Sequence, residues 1–152
     1  MKLFWKKQKE FFTPAEKEQL LLSIREAEMR TSGEVRLFVE SRCRFVDPMD
    51  RAGELFLQMK MDQTKDRNAT LIYVAVKDHQ AAILGDKGIH EKVGSRYWQD
   101  EIQKMMAHFR HQHLAEGLCH CIKDIGDALH HYFPYERDTD KNELPDEIVF
   151  GR

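Results

Sequence analysis

Between Asn68 and Asp86 the chain reads NATLIYVAVKDHQAAILGD. Ala69 to Val76 is a nearly unbroken run of β-branched, aromatic and other apolar residues, the pattern of a strand covered on both faces. Lys77-Asp78-His79-Gln80 is a polar turn, after which Ala81-Ala82-Ile83-Leu84 runs back as a second strand and stops at Gly85-Asp86-Lys87-Gly88. A buried hairpin with an acidic corner between glycines is therefore predicted at the centre of the fold.

The flanking segments change period. Thr13-Pro14-Ala15-Glu16 is a helix start: Thr13 can cap, Pro14 suits the first helical position and Glu16 completes a capping box. Leu20, Leu21, Ile24 and Ala27 give that helix an apolar face to about Arg30, and Thr31-Ser32-Gly33 ends it. Glu34 to Glu40 alternates, with Val35, Leu37 and Val39 opposite Arg36, Phe38 and Glu40, which predicts a strand. Asp47-Pro48 opens a second helix carrying Ala52, Leu55, Phe56 and Met59 on one stripe. Strand, helix, strand in that order is a βαβ unit with parallel strands. Beyond the hairpin, helical periodicity covers Ile89–Val93, about Tyr97 to Arg110, and about Leu114 to Phe133, where Pro134 stops it. An edge strand could also hide in Arg42–Val46.

These elements amount to an α/β fold, a three-layer α/β/α sandwich with a mostly parallel sheet and one antiparallel hairpin strand. The chain divides into an aromatic and basic lead (1–12), the α/β domain (13–134) and an acidic tail (135–152) read as mobile. Its apolar end, Ile148-Val149-Phe150, could dock on the same domain, on another copy or on a partner.

Composition narrows the class. With 152 residues, 41% hydrophobic and 33% charged, the chain suits one soluble domain. A net charge of -2 argues against a nucleic-acid binder. Three cysteines without framework spacing suggest a reducing compartment. No apolar run approaches the ~20 residues needed to span a bilayer, and the lead lacks the apolar core of a signal peptide. The expected location is the cytoplasm. Phe4, Trp5, Lys6, Lys7 and Lys9 in the lead allow weak contact with a membrane surface at the inner membrane, or simple packing on the domain.

Candidate chemistry is sparse. His108, His111, His113 and Cys119-His120-Cys121 invite a metal reading. Helical phase instead puts the histidines, with Glu101 and Lys104, on solvated faces, and the two cysteines beside the apolar stripe as small hydrophobes. Cys43 lies between Arg42 and Arg44, which could lower a thiol pKa, but no histidine is tied to it. There is no phosphate-binding glycine loop, GxSxG or HExxH. Topology raises one constellation. Two parallel strands start, and an antiparallel third ends, at the same edge of the sheet. Glu34, Asn68 and Asp86 should meet there, and their oxygens could ligate a hard cation such as calcium or magnesium. Helix capping and a solvated strand end are the plain alternative. The opposite edge should gather Ser41, Arg42, Arg44, Asp47 and the Asp78-His79 turn.

The runs SGEVRLFV, NATLIYVAV, AAILGDKGIHEKVG and AEGLCHCIKDIGDALHHYFP together resemble the TPM domain over roughly residues 13–134. That family is named after a thylakoid-lumen phosphatase-like protein, a photosystem-repair protein and a worm receptor modulator, and the likeness is to its short bacterial branch. The resemblance implies an α/β/α sandwich, calcium binding and, for the thylakoid protein, acid phosphatase activity, with Glu34, Asn68, Gly85 and Gly88 at family positions. Where many members carry an acid in a Leu-Thr-Asp context, this chain has Val93-Gly94-Ser95-Arg96. The expectation is a cytoplasmic TPM-domain protein of regulatory or protein-interaction type, with a membrane-associated partner and a divalent cation at the Glu34/Asp86 edge. The alternative is a weak metal-assisted phosphatase at that edge.

Overall fold

In a computed structural model of the chain, residues 11–135 and 148–151 are described. Helix α1 (Pro14–Glu28) begins as its sequence requires: Thr13 Oγ1 accepts from Glu16 N at 3.1 Å and Glu16 Oε1 from Thr13 N at 2.8 Å. Strand β1 (Glu34–Glu40) follows, then α2 (Pro48–Gln58), capped by Asp47. The hairpin is β2 (Ala69–Ala75) and β3 (Gln80–Gly85). Helices α3 (Lys87–Val93), α4 (Ser95–Arg110) and α5 (Leu114–Tyr132) come next, and β4 (Ile148–Phe150) ends the fold.

The sheet order is β3-β2-β1-β4. β1 pairs parallel with β2, Glu34 beside Ala69, and parallel with β4, Leu37 beside Ile148. β3 returns antiparallel along β2, with Gly85 beside Thr70. Alternation sends Val35, Leu37, Val39, Ile72, Val74 and Ile83 toward α1, α4 and α5, where they join the larger core. The other face, with Phe38, Leu71 and Tyr73, packs against α2 through Leu55 and Phe56. The α/β sandwich is thus as expected.

All seven residues of β1 are buried, with α2 covering the side that carries Arg36 and Glu40. One expectation needs correction: the additional strand is not in Arg42–Val46. It is Ile148–Phe150, from the acidic tail, and it docks on the same domain. Of the lead, Phe11 and the buried Phe12 are described and pack on the larger core; Phe4, Trp5 and the lysines lie outside the described residues.

Candidate functional site

The starting edge of β1 and β2 does gather Glu34, Asn68 and Asp86, each buried. β3 delivers Asp86 there, since Asp86 N donates to Ala69 O at 2.9 Å. Both oxygens of its carboxylate are then engaged. Oδ1 caps α3 by accepting from Lys87 N at 2.8 Å, and Arg67 forks onto both oxygens, Nε to Oδ2 at 2.6 Å and Nη2 to Oδ1 at 2.8 Å. That hydrogen bonding raises the Arg67 pKa above its ordinary value. Arg67 adopts φ 51°, and its carbonyl accepts from Gly88 N at 2.8 Å. A Cβ at Gly88 would sit 2.1 Å from Asp66 O, so this residue must lack a side chain for the clasp to close.

Glu34 and Asn68 share the edge but not a face. Glu34 pairs in register with Ala69, whose side chain lies in the α2 core, so alternation turns Asn68 to the other side. There Asn68 Nδ2 donates to Ser32 Oγ at 3.2 Å, while its buried Oδ1 and the Thr70 hydroxyl have no hydrogen-bond partner. A calcium ion needs several oxygens converging on one point. Asn68 Oδ1 suits such a role, but Asp86 faces Arg67 and Glu34 projects to the opposite side. Among the described residues no three His, Cys, Asp or Glu side chains cluster as metal ligands. As arranged, this trio does not fit a cation. Arg96 is exposed in the first turn of α4.

The opposite edge collects Ser41, Arg42, Arg44 and Asp78 of the residues expected there, while Asp47 caps α2 and His79 stacks on Phe109. Arg42 Nη1 lies 3.0 Å from Asp78 Oδ1, and Cys43 N donates to Asp78 Oδ2 at 2.7 Å. A crevice of about 590 Å³ lies among Ser41, Arg42, Arg44, Phe45 and Arg51. Beneath it is an ion pair that alternation alone conceals. Arg51 Nε and Nη2 each reach Glu40 at 3.0 Å, and the Tyr73 hydroxyl donates to the same carboxylate. Burial, then the bond to Glu40, raises the Tyr73 phenol; hydrogen bonding to Glu40 raises Arg51 against the opposing effect of burial.

At the α4–α5 seam the solvated-face reading holds for Lys104, His111 and His120, which are exposed, and is corrected for Glu101. Glu101 is 3% exposed, not on a wet face. Its Oε2 lies 2.9 Å from Lys104 Nζ, which also reaches Asp124 at 3.1 Å, and its buried Oε1 accepts no hydrogen bond. Burial pushes this carboxyl up to about 6, with Lys104 opposing. His108 and His120 stack across the seam with centroids 5.5 Å apart. They meet because Gly117 leaves room for His108: a Cβ there would lie 2.6 Å from His108 Cβ. Cys121 is buried, which raises its thiol pKa, as expected of a small hydrophobe.

A groove of about 800 Å³ runs between α1 and α5, floored by Leu22, Ala27, Met29 and Cys119. Leu22 is 45% and Met29 73% exposed. On its rim Arg30 and Lys123 both pair with Asp127, at 2.5 and 3.2 Å, and the Arg30 bond lowers the Asp127 pKa. Glu26 and Glu116 line the same groove, so its remaining charge is negative.

Comparison with known proteins gives consistent findings. The sequence profile described as the TPM domain matches residues 6–128. The NMR structure of BA42 protein from the psychrophilic bacterium Bizionia argentinensis is 40% identical, with a TM-score of 0.85, over 94% of this chain and 97% of that one. The solution structure of the N-terminal domain of cg2496 protein from Corynebacterium glutamicum shares the fold at 10% identity, with a TM-score of 0.62, over 78% of this chain and 74% of that one. No curated protein matches. Among the described residues no helix is long and apolar enough to cross a membrane.

Proposed function

The chain belongs to the TPM domain family, and from that premise we propose that it is a cytoplasmic, regulatory protein-interaction member rather than a catalyst. The α1–α5 groove carries the reading. It sets two exposed large apolar side chains, Leu22 and Met29, in one concavity with a charged rim, and a polar-rimmed apolar surface is the kind that takes a partner. Its floor is apolar, its basic residues are already paired, and Glu26 and Glu116 remain on the rim. The chemistry that complements this is an amphipathic partner helix with basic flanks, of the helix-in-groove kind, supplied by a membrane-associated protein. A photo-crosslinker at Met29 should give a defined adduct in cells. The helix mapped from that adduct should bind the wild type in calorimetry and lose at least tenfold in affinity with Leu22→Asp. Adducts equally strong from Leu57, an exposed apolar residue on α2, would remove the groove from the argument.

The second reading keeps calcium or magnesium at Glu34, Asn68 and Asp86, favoured by the buried Asn68 Oδ1 that no hydrogen bond satisfies. Arg67 would have to release Asp86, and Glu34 would have to turn across from the α2 side. A metal-assisted phosphatase at this edge would depend on the same release. Calorimetric titration with each ion, beside phosphatase assays on the wild type and Asp86→Ala, decides it: no heat and no Asp86-dependent turnover would sink both forms.

A further inference from the structure

The outer edge of β1 is a slot with one closed end. Val35 N, facing outward, donates to Glu28 Oε2 at 2.7 Å, so a side chain from α1 blocks further strand pairing there. Beyond it, Leu37 to Val39 pair with Ile148 to Phe150, and Val39 O accepts from Gly151 N at 2.7 Å. The slot also reads side chains. Ile148 enters the larger core, and Val149 packs against the α2 core on the opposite face. Phe150 lies against Phe11 and Phe12, at 6.3 and 6.4 Å between centroids, with Lys17 Nζ 5.5 Å from its ring. A Cβ on Gly151 would come 2.8 Å from the Phe38 ring and 3.1 Å from Glu40 Cβ, so glycine is selected at the fourth position.

We propose that this slot is a peptide-binding site of the strand-addition type, taking an extended Ile-Val-Phe-Gly-like segment parallel to β1. β4 then acts as the chain's own tethered ligand, which a second segment of the same pattern can replace. Strand addition draws affinity from main-chain hydrogen bonds and selectivity from alternate side-chain pockets, and both are present here. The strand is short and Phe150 is 42% exposed. Its covalent attachment to the domain therefore matters to its hold, since an intramolecular strand competes at a raised effective concentration. The site is separate from the α1–α5 groove, and loss of either leaves the other standing.

The probe is a fluorescent peptide of residues 147–152 against the full chain. Val149→Pro removes a ladder donor from β4 and vacates the slot. The variant should bind the peptide at least tenfold more tightly than wild type, with the amide signals of Leu37 to Val39 shifting. A peptide with valine in place of Gly151 should not bind. A folded variant that ignores the peptide, or binds both peptides alike, would overturn the proposal. Should the proline variant fail to fold, the wild type decides. Peptide at millimolar concentration should move the Gly151 amide signal to that of an undocked tail, and an unmoved signal would overturn the proposal equally.

Discussion

Replacing Glu101 with glutamine isolates one buried carboxyl and the pH range over which it acts. Its side chain is 4% exposed, with one oxygen on Lys104 and the other without a hydrogen bond. Burial is the largest influence and lifts its pKa from 4.5 to about 6; Asp124 adds to the rise and Lys104 opposes it. Between those values the folded chain holds a proton that the unfolded chain has released. The stability contributed by the protonated form is present in full below about pH 4.5 and is lost as pH rises through about 6. A difference of 6 - 4.5 = 1.5 units, at 1.36 kcal/mol per unit, amounts to about 2 kcal/mol. Glutamine keeps the shape and cannot titrate. In urea unfolding from pH 4 to 7.5, the stability of wild type minus that of Glu101→Gln should fall by about 2 kcal/mol, most of it between pH 4.5 and 6.5. A difference constant to within about 0.5 kcal/mol across that range would mean that water reaches Glu101 and that the α4–α5 seam is not dry.

Arg51→Met should cost about 2 to 3 kcal/mol in urea unfolding, because it strands the Glu40 carboxylate, whose side chain is 7% exposed, with Tyr73 alone. Tyr73→Phe should cost about 1 kcal/mol by the same assay, and a larger loss from Tyr73 than from Arg51 would reverse the ranking. Gly88→Ala should destabilise by about 2 kcal/mol or more, since its Cβ meets backbone oxygen at 2.1 Å. Gly53→Ala in α2, with nothing within 4 Å of the added atom, should instead stabilise by about 0.5 to 1 kcal/mol. Equal effects at the two glycines would refute the close-approach argument. Thr13→Ala should lower stability by about 1 kcal/mol through loss of the capping box, and the lost helix signal should localise to α1 in hydrogen exchange.

Local grammar carried most of the fold. Thr13-Pro14 and Asp47-Pro48 start helices where their caps predict, and the Ala69 run is the buried strand its composition demands. What escaped has a common cause: each feature depends on an element distant in sequence. The partner of Glu40 was not legible in β1, because Arg51 meets it only after α2 folds over the sheet. Glu101 looked solvated because a helical phase argument about α4 does not include α5, which crosses it with Asp124 and Cys121. β4 is three residues long, too short for any period to register. At the Glu34/Asp86 edge, chain direction alone brought the three residues together. The Arg67–Asp86 fork, closed by a positive φ at Arg67 and a bare Cα at Gly88, was beyond what spacing could show.

Both ends of the sheet treat their acids alike, and this bears on what kind of protein it is. In open α/β sheets, ligands usually enter at the carboxyl ends of the strands where the connections diverge. Here β1 is that strand, with β2 reached through α2 on one side and β4 on the other. Its terminal carboxylate, Glu40, is bound by Arg51 and Tyr73. At the starting end Asp86 is bound by Arg67 and the first turn of α3. A catalytic acid or metal ligand needs a lone pair or proton aimed into open space, and each of these is aimed at an arginine of the same domain. The surface does leave apolar groups open: Leu22 and Met29 lining the α1–α5 groove, and Phe150 at the end of a three-residue strand. Recognition by burial of such groups needs no reacting atom, which is the physical basis for preferring a binding role to a chemical one.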